Sequence, residues 1–148
     1  MLTRYERFTA SIAGISRSIQ KIETDEMKKY SLKGSHAQLL VVLSQNPEGI
    51  TAARLCVVCD KDKAAVSRGI AELELNGMVK KDGGINYRSR LLLTKKGKEV
   101  AMQICKRVEA AVKLAETNVS EEESNTMFRV LDEIASELRE ACKDGLPV

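Results

Sequence analysis

Thr51 and Asp62 stand eleven residues apart, each a short polar acceptor placed just before an apolar-periodic run, where a helix N-cap belongs. Thr51 opens a short helix from Ala52 to about Val58, anchored by Leu55. Asp62 opens a second that runs to Asn76, with Gly77 in the left-handed position that ends it. The connection Cys59-Asp60-Lys61 leaves room only for a sharp turn, so the two helices must meet at a steep angle. Directly after them, Met78-Val79-Lys80-Lys81, the turn Asp82-Gly83-Gly84 and the run Tyr87 to Leu93 read as a β-hairpin.

The flanks are helical. Phe8, Ile12, Ile15, Ile19 and Ile22 recur at spacings of four, three, four and three, the mark of an amphipathic helix over residues 3–29. After Lys33-Gly34, Ser35 opens a further helix as a capping box with Gln38. It buries Leu39, Leu40 and Leu43 and stops at Asn46-Pro47-Glu48-Gly49. Thr94 caps a long helix carrying Val100, Ile104, Val108, Val112 and Ala115, and Ser120 with Glu123 forms a capping box for a last one through Phe128, Leu131, Ala135 and Leu138. The order α-α-α-α-β-β-α-α makes the fold class mainly α with a small β-hairpin wing, a winged helix-turn-helix between helical ends. The expected division is 1–34 and 98–148 as dimerisation helices around a lobe at 35–97. Apolar faces on the end helices need cover, part of it from a second copy.

Charge is unevenly spread. Residues 51–98 hold 11 Lys and Arg against 5 Asp and Glu, whereas residues 99–148 hold 6 against 11. A basic middle suits a polyanionic partner, although a merely solvated basic face would look the same. Aromatics make up 3% of the chain, too few for the stacking platforms that single-strand binders use. No apolar run approaches the roughly 20 residues that cross a bilayer, and charges stand where a signal peptide needs its apolar stretch. Four cysteines without such a signal fit a reducing cytoplasm, so a cytoplasmic chain without membrane contact is expected.

The helix after Asp62 decides between the two readings of the charge. At 100° per residue, Val66, Gly69, Ile70 and Leu73 gather on one face, while Ala64, Ser67, Arg68 and Ala71 lie opposite. A helix entering a major groove needs this low profile with a few reaching polar groups; an ordinary solvated face would carry more Glu and Lys. Base contacts are therefore assigned to Ala64, Ser67 and Arg68, and phosphate contacts to Thr51, Lys61 and Lys63 near helix starts. On the hairpin, Arg88 and Arg90 share one strand face and suit a minor groove. For Lys80 and Lys81, surface salt bridging competes strongly with DNA contact.

The run Asp62-Lys63-Ala64-Ala65-Val66-Ser67-Arg68, with Leu73, Asn76-Gly77-Met78-Val79 and Tyr87 through Leu93-Thr94-x-x-Gly97, resembles the MarR-type winged-helix regulators. The likeness is sharp over residues 35–97 and architectural over the end helices. It implies a homodimeric regulator on a palindromic double-stranded operator, often modulated by a small-molecule effector. The family's wing usually carries Asp-x-Arg, and Asn86-Tyr87-Arg88 departs from that pattern in a shorter turn.

Cys56-Val57-Val58-Cys59 has a metal or redox spacing, yet no second close cysteine pair exists and His36 is remote. Core packing is the leading reading for Cys56 and Cys59, thiol sensing the second, and zinc the least. Cys105 and Cys142 read as packing, and His36 as a polar helix-end residue. One His, no nucleophile triad and no phosphate-cradling glycine loop leave no assembled catalytic site, so neither enzyme activity nor a cofactor is expected. The rival from another class is a winged helix that binds protein rather than DNA; its helix would more often carry apolar or aromatic anchors.

Overall fold

The computed structural model describes residues 1–83 and 89–145. Its elements are α1 (Arg4–Lys28), α2 (Ser35–Ser44), β1 (Ile50–Thr51), α3 (Ala52–Cys59), α4 (Lys63–Leu75), β2 (Val79–Asp82), β3 (Arg90–Leu93), α5 (Lys95–Ala115) and α6 (Glu121–Asp144). They form two compact units, Met1–Glu109 and Ala110–Val148.

In the first unit the core is built from Leu39, Leu40 and Leu43 of α2, Leu55 of α3, Val66, Ile70 and Leu73 of α4, and Val100, Ala101 and Ile104 of α5. The apolar spacing of each helix therefore faces one shared interior. α2 and α4 approach closely at Gly69, where a Cβ would stand 2.6 Å from Leu39 Cδ1. The Asp62 carboxylate accepts from the Ala65 N–H at 2.7 Å, the expected cap of α4. The helix ends in a Schellman turn: the Met78 N–H donates to the Leu73 carbonyl, the Gly77 N–H to that of Glu74, and Gly77 has φ +70°.

Two expectations need correction in this first unit. Ser35 is not an N-cap: Gly34, with helical φ −55° and ψ −32°, starts α2 one residue earlier and makes no side-chain cap. The imidazole of His36 serves instead, its Nδ1 lying 3.1 Å from the Lys33 backbone nitrogen. Gly34 itself is set against α1, because a Cβ there would run into the Thr24 side chain. The second correction is that the hairpin is part of a three-stranded antiparallel sheet of order β1-β3-β2. β1 is two residues long, too short to leave any alternation in sequence, and it is defined by its pairing Ile50↔Leu91 and Thr51↔Arg90. Along the described end of the second hairpin arm the alternation holds, with Ser89, Leu91 and Leu93 buried and Arg90 exposed.

The sheet, α4 and α5 meet at one point. Thr94 Oγ1 accepts from the Gly97 N–H at 3.1 Å and donates to the Gly77 carbonyl at 2.6 Å. Gly97 lies so close to the Met78 carbonyl that a Cβ would overlap it. This is the physical content of Leu93-Thr94-x-x-Gly97. A second tie holds α1 to α5: Glu26, 4% exposed, takes Lys29 Nζ at 2.6 Å and Arg107 Nε at 3.0 Å.

The second unit holds the end of α5 and α6. Ser120 and Glu123 form the expected reciprocal capping box, and Ser124 Oγ donates to Glu116 Oε1 at 2.7 Å. α6 leaves Met127, Phe128, Val130 and Leu138 exposed. Cys142 is also exposed rather than packed, unlike Cys105, which is half-buried.

Gly97→Ala should destabilise the chain by about 1–3 kcal/mol, the usual range for overpacking, because the obstacle is backbone and cannot swing aside. The urea midpoint of the variant measures this; an unchanged midpoint would mean the junction has slack.

Candidate nucleic-acid interface

The steep α3–α4 connection depends on Asp60, which takes the left-handed conformation at φ +50°. The N–H groups of Asp60 and Lys61 then donate back to the carbonyls of Val57 and Cys56 and close α3. Asp tolerates this conformation better than most side chains. α4 starts at once, its first turn directed by the Asp62 cap.

Lys63, Ala64, Ser67, Arg68 and Ala71 are all exposed, opposite the buried Val66, Gly69, Ile70 and Leu73. The two acids of α4 lie near its C-terminal end, each close to a side-chain nitrogen from another element. Glu72 Oε2 is 2.6 Å from Nε2 of the buried His36, and Glu74 Oε1 is 3.4 Å from Lys81 Nζ. The outward N-terminal half thus carries Lys63 and Arg68 with no acid between them.

The other site residues fall in different settings. The Thr51 hydroxyl caps α3, accepting from the Arg54 N–H at 3.2 Å, and Thr51 lies opposite Arg90 in the sheet register. Arg90 Nη1 donates to the Glu48 carbonyl at 3.2 Å, so its guanidinium is partly held beside the turn before β1. Lys61 is half-buried; its charge works against the burial that pushes both Glu23 and the Cys59 thiol above their usual ranges. Arg88 lies outside the described residues. Lys81 follows the salt-bridging reading through Glu74, and Lys80, its neighbour on β2, projects to the other side of the sheet.

Cys59 is buried in the core and half-buried Cys56 packs against it. Among the described residues no group of three or more His, Cys, Asp or Glu could hold a metal ion, and no helix is long and apolar enough to cross a membrane. The His36–Glu72 contact was missed in sequence. Its partners lie on different helices far apart in the chain, and neither position carries a local pattern that names the other.

Residues 30–84 match the model of the MarR family. The chain superposes on a putative MarR family transcriptional regulator from Listeria monocytogenes, solved with a 26mer DNA, with TM-score 0.79 and 25% identity over 95% of this chain and 96% of that one. The fold is that of a MarR-type winged helix-turn-helix regulator. A MarR transcriptional regulator from Methanosarcina mazei Go1 gives TM-score 0.81 at 20% identity, covering 94% of both chains. The transcriptional regulator SlyA gives 0.77 at 25% identity over 90% of this chain and 94% of its own. No curated protein matches the chain. In the MarR-type frame, α3 and α4 are the helix-turn-helix and β2 and β3 the wing.

The burial that raises the Cys59 thiol keeps it protonated and slow to react. At neutral pH, iodoacetamide should modify exposed Cys142 well before Cys59, the two rates converging in urea. Equal rates in the folded chain would revive the thiol-switch reading.

Proposed function

We propose that the chain is a sequence-specific, double-stranded-DNA-binding transcriptional regulator that acts in the cytoplasm as a homodimer on a palindromic operator. The observation that carries this reading is the outward face of α4. It is exposed, small in profile and free of acids over Lys63, Ala64, Ser67, Arg68 and Ala71, the two acids of the helix standing nearer its C-terminal end. A major groove accepts such a surface, since the backbone can approach base edges and Arg can reach guanine. In this reading Ala64, Ser67 and Arg68 meet bases, and Thr51, Lys61 and Lys63 meet phosphate. Arg88 and Arg90 serve the wing. The DNA held by the Listeria relative supports it.

Homodimerisation is assigned to residues 1–34 and 98–148. Phe8, Ile12 and Ile15 of α1 are exposed, as are Met127, Phe128, Val130 and Leu138 of α6. Two stripes of this kind call for apolar partners, and a two-fold dimer would set its recognition helices roughly 34–36 Å apart, one DNA turn. A small-molecule effector completes the proposal.

Selection from randomised duplex DNA should return a palindrome with half-sites one turn apart. On that duplex, Arg68→Ala should cost about 1–3 kcal/mol and relax preference at one base pair per half-site. Lys63→Ala should instead weaken every sequence alike and lower the salt slope by about one. Sequence-blind binding by the unmodified chain, or an Arg68→Ala variant with unchanged preference, would overturn the assignment of α4.

A further inference from the structure

The chain has a single histidine, and it is buried, 4% exposed, in the first turn of α2. Its two ring nitrogens meet different elements. Nδ1 of His36 lies 3.1 Å from the Lys33 backbone nitrogen and 3.0 Å from the Lys33 carbonyl oxygen. A neutral ring with a bare Nδ1 accepts from that N–H, and an imidazolium donates to that carbonyl. The Lys33 side therefore serves either charge state. Nε2 lies 2.6 Å from Glu72 Oε2 of α4, yet it makes no aligned hydrogen bond there. A neutral N–H that misses its acceptor gains little, whereas attraction between an imidazolium and a carboxylate depends mainly on distance. The contact with Glu72 thus rewards the charged ring. α2 also packs against α1, α3 and β3. Of their ionisable groups, Glu26 is turned to Arg107, Glu23 interacts with Lys61, and Arg90 bonds the Glu48 carbonyl. Arg54 is exposed, and burial keeps Cys59 protonated. Among the described residues Glu72 is the only charged side chain within ion-pair reach of the ring.

We propose that His36 and Glu72 form a proton switch behind α4, in which protonation of His36 cancels the Glu72 charge and strengthens binding to duplex DNA. The switch rests on the reading of α4 as the helix that meets DNA. The Glu72 side chain is 48% exposed, so its charge is open to the field of a polyanion and opposes its approach. An imidazolium 2.6 Å away removes that opposition without adding a group to the outward face. By linkage, a duplex that prefers the protonated form also draws a proton onto His36. The complex then holds more protons than the free chain, and affinity rises as pH falls through the range in which imidazole changes charge.

The probe is the duplex selected by the unmodified chain, titrated at fixed ionic strength. Binding should tighten about three- to tenfold between roughly pH 7.5 and pH 6, within the limit of tenfold per pH unit for each proton taken up. His36→Gln should lose this rise. Glu72→Gln changes a half-exposed side chain and leaves the core intact. It should bind at the higher pH about as tightly as the unmodified chain does at the lower one, and hardly respond to pH. Burial raises Glu23 above the usual carboxylate range; any slope it adds at the acid end persists in both variants and is subtracted. In the NMR spectrum the one imidazole Cε1–H signal should move towards its imidazolium position when the duplex is added at about pH 7. Three results would each overturn the proposal: a slope in His36→Gln equal to that of the unmodified chain, a Glu72→Gln variant that keeps the full slope, or an imidazole signal unmoved by the duplex. The last two decide the matter even where His36→Gln does not fold. A chain that binds no duplex at either pH refutes the regulator reading and the switch with it, and one that binds with a flat profile refutes the switch alone.

Discussion

The close approach of the Gly97 backbone to the Met78 carbonyl fixes the geometry on which the lobe depends. Met78 closes the Schellman turn of α4 and precedes β2, and Gly97 lies in the first turn of α5. Their contact thus sets the end of α4, the root of the hairpin and the start of α5 at once. Thr94 reinforces it by bonding both Gly77 and Gly97. With the root of the hairpin held there, β3 is positioned to pair with β1, and the loop before α3 is drawn in through Arg90 and the Glu48 carbonyl.

The surface of α4 follows from where its acids go. A helix with two glutamates would ordinarily be a poor partner for a polyanion. Here Glu72 and Glu74 stand in the last turns and are met by His36 from α2 and Lys81 from β2. The first turns carry Lys63 and Arg68, and among the described residues neither forms an ion pair. The same strand alternation that commits Lys81 to Glu74 turns Lys80 into a cleft beside α5.

Much of the lobe was legible because local rules and global packing agree. Asp62 caps α4, Gly77 ends it, and the face read as outward is exposed residue by residue. The errors came where a local pattern had a tertiary competitor. Ser35 offered a capping box, but α1 closes against Gly34 and His36 takes the cap. Cys142 sits in register with an apolar stripe, yet in the single chain that stripe has no cover. β1 had no signal of its own, since a pair of residues becomes a strand only by finding a partner.

The sequence by itself determined the order of the elements, the caps that separate α3 from α4, and which face of α4 is small and basic. These depend on periodicity and on oxygen acceptors within three residues of their donors, all of them local in the chain. Only the tertiary structure decided the third strand, the pairing of buried Glu26 with Arg107, the His36–Glu72 contact, and the separation of Lys80 from Lys81 into different surroundings. Each of these is a meeting of groups remote in sequence or a choice between two sides of a sheet. Such outcomes follow from how helices and strands stack, which no local spacing encodes.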